Sequence, residues 1–185
     1  SMMSEGELPP HLGGQNGKSW TDSASLGIMS QLGCTRMLDI GCGYGGQVNT
    51  ATSMGWDAYG VDGDWTVLPK KPNFFLHDFT TGVFEFGGAV DLIWCVEFLE
   101  HVEEQYLDNF MSVFRDSNAR YAIVTHAIPG QGGHHHVNCQ FKEYWFEVFD
   151  KYGFIYSSNL TDEVRKQSNM GKPFIARTGL VFKRR

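Results

Sequence analysis

The chain has no Cys-x-x-Cys pair: its four cysteines, Cys34, Cys42, Cys95 and Cys139, are scattered through 185 residues. That spacing excludes a paired-thiolate zinc site or a thioredoxin-like redox motif, and isolated thiols of this kind are expected to stay reduced. Long apolar runs are also missing. No stretch approaches the ~20 residues of a membrane-spanning helix and no secretory leader opens the sequence, so no membrane partner and a cytoplasmic location are expected. Positive charge is scarce, with 15 Lys and Arg against 21 Asp and Glu and a net charge of −6. Extended nucleic-acid binding needs clustered cations and is disfavoured. The one basic cluster, Lys183-Arg184-Arg185, reads as a solvated tail. There is no internal repeat and no low-complexity segment, and nothing fixes the oligomeric state.

The composition that remains, 42% hydrophobic with 14% aromatic, is that of a globular domain long enough for a full core. Residues 1–20 are expected to form a flexible N-terminal arm or lid, because the opening stretch is rich in Gly, Pro and Ser without periodicity. Residues 21–185 read as one domain. Strands are expected at 36–40, 57–61, 73–77, 89–95 and 120–126, alternating with helices, which implies an α/β fold around a parallel sheet. Thr21 or Asp22 is expected to cap a helix running to Gly33, and a further helix to span 142–152 and stop at Gly153. An apolar stripe of Leu99, Val102, Tyr106, Phe110, Val113 and Phe114 predicts one helix from Glu97 to Arg115. Segments 154–160 and 175–183 read as a closing strand pair, with 161–174 as an insert between them.

The most informative stretch is Met37-Leu38-Asp39-Ile40-Gly41-Cys42-Gly43-Tyr44-Gly45-Gly46. An apolar run ends in an acid and breaks into glycines, as a buried strand does when it delivers a ligand to a tight turn. Gly41, Gly43 and Gly46 satisfy the dinucleotide spacing G-x-G-x-x-G, a weak signal by itself. Asp39 argues against a dinucleotide, because a carboxylate aimed at the turn repels a pyrophosphate and welcomes an amine or sulfonium. Asp62 ends the next apolar run about 20 residues on, where a ribose diol needs an acceptor. Asp78 closes a third such run.

These three acid-tipped strands and the LDIGCGxG segment resemble the class I S-adenosylmethionine-dependent methyltransferases, over roughly Thr35 to Arg185. The resemblance implies a Rossmann-like, doubly wound, mostly parallel seven-stranded sheet with an antiparallel C-terminal strand. It implies S-adenosylmethionine as cofactor and S-adenosylhomocysteine as product. Asp39 and the backbone of Gly41 and Gly43 are then expected to hold the methionine moiety. Asp62, followed by Gly63 and Asp64, is expected to hold the ribose, Trp65 to wall the adenine, and Asp78 to meet its amino group.

The segment Glu97-Phe98-Leu99-Glu100-His101 resembles the fourth motif of ubiquinone-biosynthesis O-methyltransferases and of small-RNA terminal 2′-O-methyltransferases. Glu97, a cofactor-site candidate as well, shares one face of the expected helix with Glu100 and His101. In the small-RNA enzymes such residues bind a divalent metal with a later histidine, so Glu97, Glu100, His101 and His136 are the metal candidates. The later histidines stand in the Gly-rich loop 130–136, where an extended chain would point His134 and His136 one way and His135 the other. His101, His135 and His136 are the candidate catalytic residues, since imidazole titrates near neutrality. The metal-free form is preferred over the metal-bound one. The expected function is methyl transfer to a hydroxyl of a small-molecule acceptor, partly because the Asn-Pro-Pro-Tyr type of motif found in amino-methylating DNA enzymes is absent. The alternatives are a non-catalytic S-adenosylmethionine-binding module acting through a partner chain, and a metal-dependent enzyme acting on a nucleotide or RNA end.

Overall fold

A computed structural model of the chain describes residues 6–14 and 17–185. The arm expected over 1–20 thus falls partly outside the described residues, at 1–5 and 15–16. Its described part contains no helix or strand. The elements that follow are α1 (Ser23–Gln31), β1 (Arg36–Ile40), α2 (Gly46–Ser53), β2 (Asp57–Asp62), β3 (Phe74–Leu76), β4 (Leu92–Cys95), α3 (Leu107–Asp116), β5 (Tyr121–Val124), α4 (Lys142–Lys151), β6 (Phe154–Tyr156), α5 (Ser158–Gln167), α6 (Phe174–Thr178) and β7 (Leu180–Arg184).

The strands form one seven-stranded sheet in the order β3-β2-β1-β4-β5-β7-β6. β1 to β5 pair in parallel, and β7 runs antiparallel to both β5 and β6. This is the Rossmann-like sheet with an antiparallel last strand that the sequence implied. The chain winds outward from β1 through β2 and β3, then returns to place β4 on β1's other side. That reversal opens a crevice beyond the carboxyl ends of β1 and β4, where ligands of open α/β sheets bind.

Both faces of the sheet are covered, so the strands are apolar on both sides rather than alternating. Leu38, Ile40, Ile93 and Val124 pack with Phe110 and Phe114 of α3 and Trp145 and Phe149 of α4. Met37, Leu92, Trp94 and Ile123 pack on the other face with Leu26 and Met29 of α1, Val48 of α2, Val164 of α5 and Ile175 of α6. The expected caps are present: Asp22 Oδ1 accepts the Ser25 N–H at 2.8 Å to open α1, and Gly153, at φ 93°, follows α4.

Two expectations are corrected. The helix expected from Glu97 to Arg115 is broken: two 3₁₀ turns, Leu99–His101 and Glu104–Tyr106, precede an α3 that begins only at Leu107. The cause is local. Glu97 sits at φ 57°, Val102 is extended, and the Glu97 N–H donates to Thr125 Oγ1 at 2.7 Å instead of entering a helix. The apolar spacing had reported which residues face the core, and Leu99, Val102, Phe110, Val113 and Phe114 are all buried; it could not report continuity. The strand expected over 154–160 ends at Tyr156, because Ser157 Oγ accepts the Leu160 N–H and caps α5. The supposed insert is therefore mostly helix. The strand expected from 175 starts at Leu180, after α6.

Candidate active site

The glycine turn leaves β1 with Gly41, Gly43 and Gly45 at φ 78°, 52° and 82°. This left-handed region strains any residue with a Cβ, so the glycines are dictated by the sharp strand-to-helix reversal. The N–H groups of Gly41 and Cys42 donate to the Val61 carbonyl at 2.9 and 3.1 Å. Asp62 secures the rest: its Oδ2 accepts the Gly43 N–H and its Oδ1 the Asp64 N–H, each at 2.8 Å. Burial pushes the Asp62 carboxyl up from its ordinary range, and those backbone N–H groups pull it part of the way back. Asp39, 4% exposed, lies beside it. Burial, and then the charge of Asp62, holds Asp39 well above the usual carboxylate range. Two crowded carboxyls of this kind ionise readily only when a positive group arrives, and an ammonium or sulfonium is such a group.

A cavity of about 850 Å³ opens at this turn, near the upper end of the ~300–1,000 Å³ found for small-molecule sites. Asp39, Gly41, Gly43, Asp62, Gly63, Asp78, Glu97, Glu100, His101 and His136 all line it. Of the candidate residues, His135, Asp64 and Trp65 do not line it; His135 lies elsewhere. It is at φ 48° and lines a smaller adjoining cavity of about 270 Å³ with His11, His101 and Tyr106. The loop is thus kinked at His135 rather than extended, yet His134 and His136 still face one cavity and His135 the other. Trp65 is a correction: it is 42% exposed and is not among the lining residues. The run from Gly63 carries it outward, because the buried Asp64 turns the chain by accepting the Thr66 N–H.

The end of β4 brings the acids and histidines together. The Thr125 hydroxyl donates to Glu97 Oε2 at 3.0 Å. Glu100 is 1% exposed, and its two carboxyl oxygens have no hydrogen-bond partner. Burial first, and the neighbouring Glu97 second, hold it well above the usual carboxylate range. His101 is pushed down to about 4, chiefly by burial and then by His136, whose ring it meets edge-on at 5.0 Å; its Nδ1 is buried without a partner. His136 Nδ1 lies 3.2 Å from the Gln131 carbonyl. A carbonyl only accepts, so Nδ1 carries the proton and Nε2 keeps its lone pair. One potential ligand atom from each of Glu100, His101 and His136 lies within 4.8 Å of the others. The face-sharing argument from a helix does not apply here; a 3₁₀ turn and the loop do the gathering.

The described arm residues close over the site. His11 Nε2 lies 2.7 Å from Asp78 Oδ2. Asp78 also accepts the N–H and hydroxyl of Thr80, at 2.9 and 2.8 Å. Partial burial works to raise this carboxyl, but the His11 and Thr80 hydrogen bonds prevail and hold it below its ordinary value. Asp78 therefore caps a turn and lines the cavity at once. A side chain at Gly63 would come within 2.6 Å of Leu12, so the arm lies directly on the strand ends. His134 Nε2 donates to the Leu12 carbonyl at 3.0 Å, which ties the arm to the histidine loop. His11, Leu12, Lys18, Trp20, Lys172 and Phe174 line the cavity too. No motif marked these residues individually; as segments, the arm and 161–174 are among the stretches the sequence leaves to shape an acceptor pocket, and Lys172 and Phe174 reach the site where α6 begins.

Residues 38–117 match a family profile described as "Methyltransferase domain". A search of curated proteins finds no match. Among solved structures, magnesium protoporphyrin IX methyltransferase from Synechocystis PCC 6803, with bound S-adenosylhomocysteine, superposes with a TM-score of 0.61 at 15% identity, over 88% of this chain and 81% of that one. A TehB-like S-adenosylmethionine-dependent methyltransferase from Corynebacterium glutamicum gives 0.60 at 17% identity, over 88% of each chain. The methyltransferase domain of bacterial CtHen1-C gives 0.59 at 16% identity, over 87% of this chain and 95% of that one. At such identities these likenesses speak for the fold, and they agree with the sheet order and with the profile that spans the glycine turn and the end of β4. Over residues 38–117 the chain thus matches a methyltransferase domain, and its sheet has the fold of the S-adenosylmethionine-dependent methyltransferases it superposes on.

Proposed function

We propose that the domain methylates a hydroxyl group of a small-molecule acceptor, bound in the 850 Å³ cavity beside the cofactor. In this reading Asp39 and the Gly41–Gly43 turn receive the methionine end, Asp62 and Gly63 the ribose, and Asp78 the adenine amino group, with Glu97 near the reacting end. The arm serves as a lid, supported by the His11–Asp78 and His134–Leu12 contacts. The activated sulfonium supplies the leaving group, so the protein's work is alignment, exclusion of water and removal of one proton.

The observation that carries the hydroxyl reading is the convergence of Glu100, His101 and His136 on the cavity. An amine acceptor with a free lone pair needs no base; a hydroxyl does. His136 Nε2, with its lone pair available, is the proton acceptor, and the Gln131 carbonyl fixes the tautomer. His101 stays neutral and orients its neighbour. The same three residues fit a divalent cation: the Glu100 carboxyl and His101 Nδ1 are buried donors without partners, and a depressed histidine is in its ligating form. A metal held there would supply Lewis acidity that lowers the acceptor hydroxyl's pKa.

The test is a turnover screen across catechols, sugars and nucleotides, with and without chelator, alongside calorimetry with S-adenosylhomocysteine. Hydroxyl acceptors should be methylated, and His136→Ala should lose turnover while keeping S-adenosylhomocysteine affinity. Loss on chelation assigns the cluster to a metal; retention assigns it to the base. Methylation restricted to amines, or full turnover in His136→Ala, would overturn the hydroxyl reading.

A further inference from the structure

Another stretch of the cavity wall takes no part in that chemistry. Lys18 and Trp20 precede α1, Lys172 comes from the turn between α5 and α6, and Phe174 opens α6. The turn is tied to α1: Asn169 accepts the Ala24 N–H at 3.1 Å and donates to Ser23 Oγ at 2.8 Å. Trp20 and Phe174 meet edge to face, with ring centroids 6.5 Å apart at 78°. Lys18 Nζ lies 5.6 Å and Lys172 Nζ 5.9 Å from the same indole centroid, and Lys172 Nζ is also 5.1 Å from the Phe174 ring.

Two cations from segments 154 positions apart are thus gathered on one aromatic pair, in a chain of net charge −6. Two cations lining one cavity wall make that wall attractive to an anion. Among the described residues no carboxylate pairs with either lysine. Attraction to the ring faces, about 0.5–1 kcal/mol for each contact at exposed sites, holds both side chains on the aromatic pair and leaves their charges without a carboxylate partner. The carboxyls of this cavity, Asp39, Asp62, Asp78, Glu97 and Glu100, belong to the strand ends and the turns that follow them, and none forms an ion pair with either lysine.

We infer that Lys18, Trp20, Lys172 and Phe174 form an acceptor subsite for a planar ring bearing a carboxylate: the anion bridges the two ammoniums and the ring lies against the indole and phenyl groups. This rests on the reading that the acceptor enters this cavity, and it adds the acceptor's chemical class. The cofactor's own amino-acid carboxylate has the same charge. An aliphatic tail, however, has no flat surface to offer two aromatic side chains, whereas a ring does.

The experiment uses the full chain saturated with S-adenosylhomocysteine, with 2-naphthoate as probe and 2-naphthamide as its neutral isostere, followed by saturation-transfer NMR and calorimetry. Wild type should bind the naphthoate at least fivefold more tightly than the amide. Lys18→Gln/Lys172→Gln should erase that preference and leave S-adenosylhomocysteine affinity within twofold. Both lysines are exposed, and a thermal melt verifies that the variant is folded. Equal binding of acid and amide by wild type, or an unchanged preference in the variant, would overturn the subsite. So would a tenfold loss of S-adenosylhomocysteine affinity with that of 5′-methylthioadenosine unchanged, since the lysines would then serve the cofactor's tail. The naphthoate readout requires no turnover, so failure here is distinguishable from failure of the hydroxyl reading.

Discussion

Replacing Asp62 tests the turn and the cofactor site together. In Asp62→Ala the buried N–H groups of Gly43 and Asp64 both lose an acceptor at 2.8 Å. An orphaned buried donor costs about 1–3 kcal/mol, and removing a carboxylate that burial disfavours returns part of the sum, which leaves a net loss of roughly 2–4 kcal/mol. For a chain of this length that corresponds to a fall in Tm of roughly 4–16 °C. Asp62→Asn keeps one carbonyl oxygen and presents an amide N–H to the other donor, so it should fall between Ala and wild type. Loss of the proposed ribose acceptor should weaken S-adenosylhomocysteine a further roughly five- to a hundredfold in both variants. The pH dependence has a definite sign. The folded-state pKa of Asp62 lies above the ordinary 3.8, so the native protein binds more protons than the unfolded chain between those two values. Its contribution to stability is complete below 3.8 and is lost as pH rises through the folded value. Asp62→Asn removes that slope. Urea melts across pH and calorimetry at matched folded fraction provide the readouts. A wild-type Tm in Asp62→Ala, or undiminished S-adenosylhomocysteine affinity, would refute the assignment of Asp62 as both the brace of the turn and a ligand of the cofactor.

Gly45→Ala forces a Cβ at φ 82° to within 2.6 Å of the Phe74 ring, and should cost about 2–4 kcal/mol in urea melts; a loss below about 1 kcal/mol would mean the turn relaxes freely. In metal-free protein the carboxyl of Glu100 is held well above 4.5 by burial and Glu97, so its contribution is lost as pH rises beyond that value, and the stability of Glu100→Gln relative to wild type should widen in the same direction. A flat or narrowing difference would contradict an unpartnered buried carboxyl. In the same metal-free protein His101 should titrate near pH 4 in side-chain NMR; a midpoint at 6 or above would mean that its burial is not maintained in solution.

The site was legible in the sequence where one short segment carries its own geometry. Gly41, Gly43 and Gly46 after an apolar strand, with Asp39, Asp62 and Asp78 at the ends of successive apolar runs, pointed to one crevice without any tertiary information, because parallel strands align their carboxyl ends, and all but Gly46 line the same cavity. The same holds for the alternation of strands and helices that implied the parallel sheet, and for Asp22 and Gly153 at helix ends. Periodicity failed at Glu97. An apolar stripe records burial, and a hydroxyl 28 positions away, on Thr125, takes the N–H that a helix would have used.

By itself, then, the sequence determined the fold class, the glycine turn and the three acids, all consequences of local backbone chemistry and strand order. Only the tertiary structure decided which residues from distant segments meet the histidines of the loop. It set His136 with Glu100 and His101, turned His135 toward a second cavity, laid His11 on Asp78, and gathered Lys18 and Lys172 on one indole. These pairings join residues from loops without periodicity. Their positions are set by which cores the adjoining helices bury, and sequence spacing does not encode that.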